Sequence, residues 1–156
     1  MDSVPMTLKG FQKLQEELRK LKAERPQIVE AISAARSLGD LSENAEYHSA
    51  KERQGIVEAR IMDLEDKLSR ATVIDISKIN SDTIRFGATV EIVDQNTNVV
   101  SKFQIVGNSE ADVKSGLLPI TAPMAKALIG KTIDDIVEVN APGGIKSYKI
   151  VGVKYI

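Results

Sequence analysis

The chain has 156 residues, with 21 Lys and Arg against 22 Asp and Glu, one His, no Cys and no Trp. The lack of Cys excludes a disulfide framework, a thiolate nucleophile and a Cys-built zinc or iron–sulfur site, and a single His provides no His pair for a metal. The formal net charge of −1 argues against bulk attraction to nucleic-acid phosphates, because such binding needs clustered Lys and Arg.

The first half of the chain has the pattern of two long helices. Apolar residues step by three and four along residues 8–38 and again along 47–71, which is the spacing of heptad seams. Gly39 lies between the two seams as a helix stop, since the residue after a helix end commonly needs a positive φ. We therefore predict an antiparallel coiled-coil hairpin over residues 1–78. Its predicted seams are Phe11, Leu14, Leu18, Leu21, Ile28, Ile32 and Ala35, and Tyr47, Ala50, Gln54, Val57, Ile61, Leu64, Leu68 and Ala71.

Two features of the first helix have competing interpretations. Thr7 is the predicted N-cap, although Gly10 stands where a capping box would have Glu or Gln. Arg25–Pro26 interrupts the seam, and an interior proline costs about 3 kcal/mol, so we expect a kink or local loosening there. The alternative is a boundary between two helices, because the residue before a proline is often the last of a helix.

From about residue 81 the hydrophobic period changes to two, which is typical of half-buried strands. The predicted strands are residues 89–93, 99–106, 136–139 and 148–155. A short helix is predicted over residues 122–129, with Thr121 as its cap and Gly130 beyond its end. The fold class is therefore α+β, with a small antiparallel sheet domain and one helix over residues 79–156.

Carboxylates concentrate at the predicted tip of the hairpin. Asp40, Glu43 and Glu46 lie three apart, and no Lys or Arg occurs within residues 39–50. One interpretation is structural, with Asp40 or Ser42 as the cap of the second helix. Glu43 and Glu46 then favour the positive end of its dipole. The other is that Asp40 and Glu43 are ligands of Mg²⁺, which takes one or two carboxylates and completes its shell with waters and substrate phosphates.

The segment from Gly39 to Tyr47 has the sequence GDLSENAEY and resembles the tip motif of bacterial transcript cleavage factors of the GreA/GreB family. Further residues that resemble the family are Ala35-Arg36, Ala50, Gln54, Ile105–Gly107, Glu110–Asp112, Pro123–Lys131 and Pro142–Gly144. The resemblance covers essentially the whole chain. It implies a coiled coil that enters the secondary channel of bacterial RNA polymerase, and an FKBP-like C-terminal domain that docks at the channel rim.

The resemblance also implies roles for the acidic tip residues. Asp40 and Glu43 help to hold a second Mg²⁺ and a water beside the catalytic metal of the polymerase, and Glu43 also assists deprotonation. Glu46 is secondary, because it equally serves to stabilise the helix start. The polymerase then cuts the backtracked RNA 3′ segment, so the chain is expected to be a cofactor protein and not an enzyme.

Contacts with RNA or polymerase are expected near the tip from Arg36, Asn44, Tyr47, Lys51 and Arg53. The basic residues have the alternative of a solvated face, and their small number favours the GreA-like branch of the family. Tyr47 is a candidate for stacking on an RNA base, with packing in the seam as the alternative. His48 is expected to be a surface residue.

The expected partners are bacterial RNA polymerase and the backtracked RNA 3′ end, with Mg²⁺ shared with the polymerase and not held tightly by the isolated chain. No apolar run approaches the roughly 20 residues that span a bilayer, and the first residues lack the regions of a signal peptide. We therefore expect a cytoplasmic chain without a membrane partner, and we also expect a monomer. Two alternatives are a channel regulator that inhibits or modulates polymerase without stimulating cleavage, and a structural coiled-coil adaptor.

Overall fold

The computed structural model describes residues 2–40 and 44–156, and the chain divides into two compact units. The first unit consists of residues 11–70, and the second combines residues 2–10 with 71–156. This grouping follows contacts and not chain order, because the first strand pairs with the segment that follows the second helix. As a domain boundary, the division between residues 78 and 79 stays a prediction.

Two long helices make up the first unit, apart from the first turn of α1, which belongs to the second. Helix α1 spans Leu8–Arg36 and helix α2 spans Ala45–Ser69. A buried cluster joins them and consists of Ile28, Ile32, Val57 and Ile61. Because all four are predicted seam positions, the antiparallel coiled-coil hairpin is confirmed.

Ion pairs connect the two helices outside the seam. Three of them are bidentate, with N–O distances of 2.6–3.1 Å. They are Arg25–Glu58, Arg53–Glu24 and Arg60–Glu17. Solvent screens such pairs, so they define the register of the hairpin more than its stability. None of the helices in the described part of the chain has the length and apolar character that a membrane span requires.

Pro26 lies inside α1, which continues unbroken past it. The alternative of a boundary between two helices at Arg25–Pro26 is therefore wrong, while the expected kink stays a prediction. Arg25 binds Glu58 of α2, and Ile28 is buried in the seam. These tertiary contacts outweigh the loss of one backbone donor, which costs about 3 kcal/mol in a helix interior.

The start of α1 confirms Thr7 as its N-cap. The Thr7 hydroxyl accepts the Gly10 N–H at 3.0 Å. In place of a glutamate at position 10, Glu110 completes the cap: its carboxylate accepts the Thr7 N–H at 2.9 Å and the Thr7 hydroxyl at 2.6 Å. The same carboxylate accepts the Gly107 N–H at 3.2 Å. All four residues belong to the second unit, so the first turn of α1 is fixed within that unit.

A two-stranded parallel sheet also belongs to the second unit. Strand β1, Val4–Thr7, pairs with strand β2, Ala71–Ile74, from Val4 opposite Ala71 to Thr7 opposite Ile74. Met6 of β1 is fully buried. Neither strand was predicted, because each has only four residues and its partner lies at the opposite end of the helical segment.

A five-stranded sheet carries the main core of the second unit, in the order β5-β4-β3-β7-β6. Its strands are β3 (Thr89–Asp94), β4 (Val100–Val106), β5 (Leu117–Pro119), β6 (Ile136–Ala141) and β7 (Gly144–Lys154). Neighbouring strands are antiparallel, except that β5 is parallel to β4. Helix α3, Pro123–Leu128, buries Ala125 and Leu128 in this core. The predicted α+β fold is confirmed, and β5 is an addition.

The cap predicted for α3 is wrong. Ala122 is the N-cap and makes no side-chain bond to the helix, while the Thr121 hydroxyl lies 3.0 Å from Asn108 Oδ1. The reason is Pro123 in the first turn, since proline disfavours helical backbone at the preceding residue and moves the cap to position 122. Gly130 has a φ of 86° and confirms the predicted stop.

Candidate functional site

The candidate site is the turn between α1 and α2. Asp40 lies at its beginning and is exposed, and Asn44 lies at its end and is half-buried. Gly39 has a φ of 124°, which confirms it as the residue that stops α1. Glu43, the second predicted ligand of Mg²⁺, and Ser42 lie outside the described residues, so the role of Glu43 stays a prediction.

Asn44 is the N-cap of α2. Its backbone is extended, with φ −89° and ψ 97°, and its Oδ1 accepts the Tyr47 N–H at 3.0 Å. The prediction of Asp40 or Ser42 as the cap is therefore wrong, because α2 begins at Ala45 and not near Ser42. Asn is as good a cap as Asp or Ser, so its position before the helical pattern is a signal that the sequence interpretation missed.

The Asn44 side chain also contacts α1. Its Nδ2 donates to the carbonyl oxygen of Ala35 at 2.5 Å. The same carbonyl accepts the Leu38 N–H at 3.1 Å. Carbonyl groups in the last turn of a helix and N–H groups in the first turn lack partners within the helix. A single amide side chain thus adds a second donor to a carbonyl at the end of α1 and satisfies an N–H at the start of α2.

A second connection across the tip joins Arg36 and Tyr47. The guanidinium carbon of Arg36 lies 5.9 Å from the centre of the Tyr47 ring, within the range of a cation–π interaction. The ring also meets His48 edge-on at 5.6 Å and packs against the buried cluster of the hairpin. His48 is exposed, as predicted. Tyr47 therefore has a packing role, and its stacking on an RNA base stays a prediction.

The two other basic residues near the tip have different surroundings. Lys51 is exposed, and its Nζ lies 3.3 Å from Gln54 Oε1. Arg53 binds Glu24 of α1 through two hydrogen bonds of 2.8 and 2.9 Å, and these bonds hold the pKa of the Glu24 carboxyl below its usual value. Arg53 would have to leave this partner to bind a phosphate, whereas the contact of Lys51 within the described residues is with the neutral side chain of Gln54.

A surface cleft of about 370 Å³ lies at the tip. The residues that line it are Leu38, Asp40, Asn44, Ala45 and Glu46. Asp40 and Glu46 thus bring carboxylates to one cleft, and carboxylate oxygens are the ligands that Mg²⁺ prefers, so this donor set fits a magnesium ion completed by other ligands. Within residues 2–40 and 44–156, no three His, Cys, Asp or Glu side chains come together as a metal site.

Family models match both halves of the chain. The family model "Transcription elongation factor, N-terminal" matches residues 4–73, and "Transcription elongation factor, GreA/GreB, C-term" matches residues 79–155. Proteins named Transcription elongation factor GreA from Phenylobacterium zucineum and Maricaulis maris are 54% and 56% identical, over 100% and 99% of both chains. The crystal structure of GreA factor homolog 1 of Thermus thermophilus is 25% identical and covers 97% of this chain and 99% of that chain, with a TM-score of 0.45.

Proposed function

Because the chain belongs to the GreA/GreB family of transcription elongation factors, we propose that it stimulates the cleavage of backtracked RNA by bacterial RNA polymerase. The hairpin of α1 and α2 enters the secondary channel, and the C-terminal part of the chain docks at the channel rim. Cleavage gives the polymerase a new RNA 3′ end, so that arrested complexes resume elongation. The chain completes the nuclease site of the polymerase and is not itself the catalyst.

The observation that supports this proposal is the placement of carboxylates at the end of a long helical hairpin. Helix α1 has 29 residues and extends about 43 Å at 1.5 Å per residue. Asp40 follows the end of this helix, in the same cleft as Glu46. A hairpin of this length, held by a buried seam, is suited to deliver acidic groups into a narrow opening that a globular domain cannot enter.

We assign Asp40 and Glu43 to a Mg²⁺ ion that is shared with the polymerase. When bound, this ion stabilises the attacking and leaving oxygens of phosphodiester hydrolysis. The exposed Asp40 carboxylate supplies an oxygen ligand, and Glu43 supplies a second ligand and accepts a proton from the attacking water. Glu46 adds negative charge to the Asp40 cleft and favours the start of α2.

The basic and aromatic residues near the tip are proposed to contact RNA or polymerase. Arg36 and Lys51 are exposed cations that suit RNA phosphates or acidic channel walls. Tyr47 offers an aromatic face to a base. Arg53 takes part by exchanging Glu24 for a phosphate, whereas the Asn44 amide is bonded within the hairpin to Ala35 and Tyr47.

The test is RNA cleavage in a defined backtracked complex of bacterial RNA polymerase, measured across Mg²⁺ concentrations. Asp40→Ala and Glu43→Ala are each expected to lower stimulated cleavage by at least about 100-fold, the usual loss when an electrostatic group of a reacting site is removed, while binding to polymerase is retained. Glu30→Ala, which removes an exposed carboxylate from the body of α1, is the matched control and should cleave normally.

Three results would overturn the proposal. Full cleavage by the Asp40→Ala/Glu43→Ala double variant would show that the tip acids are not required. Inhibition without any cleavage by the unmodified chain would support a channel regulator. Failure of the unmodified chain to bind core polymerase would support a structural adaptor.

A further inference from the structure

The side chain of Asn44 connects the two helices directly at the candidate site. Its Oδ1 accepts from the backbone of Tyr47 in the first turn of α2, and its Nδ2 donates to the backbone of Ala35 in the last turn of α1. Ala35 is only 2% exposed, and Tyr47 packs against the hairpin cluster, so both contacts reach well-packed parts of the hairpin. The amide therefore joins two fixed points on different helices.

The two hydrogen bonds need both the oxygen and the nitrogen of the amide side chain. A cap for α2 alone would be supplied equally well by Asp or Ser, because these side chains accept a hydrogen bond as Asn does. Neither can replace the Nδ2 donor: an ionised Asp has no proton to donate, and the Ser hydroxyl is too short to reach the next helix while it caps. The contact with Ala35 is thus a function of Asn44 that is separate from capping.

The bond to Ala35 closes a loop that contains Asp40. Ala35 and Asn44 are nine positions apart, and the Leu38 N–H also donates to the Ala35 carbonyl. Arg36, next to Ala35, lies over the ring of Tyr47. Because the chain is held on both sides of Asp40, fewer backbone conformations are available to that residue.

We propose that Asn44 is a positioning residue for Asp40, acting through the hydrogen bond from its Nδ2 to the Ala35 carbonyl. This inference rests on the proposed function of the tip. It assigns Asn44 a role through Asp40 and not through contact with RNA. Restricting the acid before the complex forms raises the cleavage rate, since misplacement of a reacting group by about 1 Å can cost about 100-fold in rate.

The variant Asn44→Ser makes it possible to test the two hydrogen bonds of the side chain separately. It keeps a cap for α2, adds no charge and removes the donor to Ala35. We expect cleavage of the backtracked complex at saturating protein to fall about 10- to 100-fold, with the half-saturating protein concentration unchanged. Asn44→Asp keeps the cap and the length of the side chain but also lacks the donor, so it should lose cleavage as well. A contact role would instead raise the half-saturating concentration.

A second measurement uses the isolated chain and does not depend on cleavage. Hydrogen exchange in Asn44→Ser should accelerate at the Leu38 amide and leave the amides of Ala50 to Gln54 unchanged. Normal cleavage by Asn44→Ser, or unaltered exchange at Leu38, would overturn the inference. The unmodified chain and Asp40→Ala are measured in parallel. If the unmodified chain stimulates no cleavage, the proposed function fails, and the exchange result alone decides whether Asn44 holds the turn.

Discussion

The two long helices of the hairpin begin with different kinds of cap. At the start of α2, Asn44 accepts the Tyr47 N–H and donates to the Ala35 carbonyl, and among the described residues these two partners lie within nine positions of it. At the start of α1, Thr7 accepts the Gly10 N–H, but the carboxylate that completes the cap comes from Glu110, 103 positions away. One cap is made locally, and the other is completed only when distant parts of the chain meet.

The N–H groups at the start of a helix can thus be satisfied by a neighbouring side chain, as in α2, or with the help of a distant one, as in α1. A capping box places Glu at the third helical position, where its carboxylate bonds the N–H of the cap residue. In α1 that position is Gly10, and a Cβ there would overlap with Glu110 Oε1. A side chain at position 10 and the Glu110 carboxylate therefore exclude each other, and the glycine is what admits the distant residue.

Of the variants that test the two caps, Glu110→Ala is expected to have the largest effect on the unfolding free energy. The variant removes three hydrogen bonds to a carboxylate, from the Thr7 N–H, the Thr7 hydroxyl and the Gly107 N–H. Hydrogen bonds to charged groups contribute about 1.5–3 kcal/mol each and are not additive, so we expect unfolding free energy to fall by about 3 kcal/mol. Urea denaturation followed by circular dichroism measures this. A loss below about 0.5 kcal/mol, the range of an ordinary surface substitution, would show that the distant cap is incidental.

A second prediction converts the distant cap of α1 into a local one. Gly10→Glu alone should destabilise the chain by about 2 kcal/mol, because its side chain displaces the Glu110 carboxylate. Combined with Glu110→Ala, the same substitution should recover part of the stability, since the new glutamate can bond the Thr7 N–H as in a capping box. The double variant is therefore expected to be more stable than Glu110→Ala. If the double variant instead lost as much unfolding free energy as the two single variants together, the prediction would be contradicted.

The local cap of α2 should have a smaller effect on stability. Asn44→Ala is expected to lower the unfolding free energy by about 1 kcal/mol, the usual cost of losing a cap. Asn44→Ser, which retains a cap, should be close to the unmodified chain in the same denaturation experiment. An equal loss in both variants would mean that the bond to Ala35, and not the cap, carries the stability.

The smallest effect is expected from the ion pairs of the hairpin. Hydrogen bonding to Arg60 lowers the pKa of the Glu17 carboxyl in the folded chain. The pair therefore stabilises the folded chain at pH values above the pKa that Glu17 has in the unfolded chain. This stabilisation is lost as the pH falls through the lower pKa of the folded chain. The contribution is at most about 0.5 kcal/mol after solvent screening. Thermal unfolding between pH 7 and pH 3 should show a slightly shallower pH dependence in Glu17→Gln. An unchanged slope would show that this pair does not contribute to the stability of the folded chain.

The hairpin could be predicted because its information is local. Heptad spacing identified the seam, and Ile28 and Ile61 are buried as expected. Residue type alone indicated a positive φ at Gly39, and it is observed. Each of these inferences needs only neighbouring residues and the period of the hydrophobic pattern.

The features that escaped prediction depend on distant partners or on competition between near neighbours. Strands β1 and β2 are too short to show a period, and their parallel pairing joins two ends of the helical segment. Glu110 carries no sign of its distant partner Thr7 in its own neighbourhood. At the tip, Asp40, Ser42 and Asn44 were all acceptable caps by residue type, and only the structure distinguishes Asn44. The placement of Asp40 at the tip was predicted, whereas the contact from Asn44 to Ala35 was not.

The cap on α1 also has a consequence for the order in which the chain acquires its structure during translation. Residues 8–36 leave the ribosome long before residue 110 has been added to the chain. The hairpin seam can close once α2 is available, but the first turn of α1 keeps an incomplete cap until Glu110 arrives. The helix that is synthesised first is therefore completed late, and its first turn becomes a reporter of whether the C-terminal part of the chain has folded.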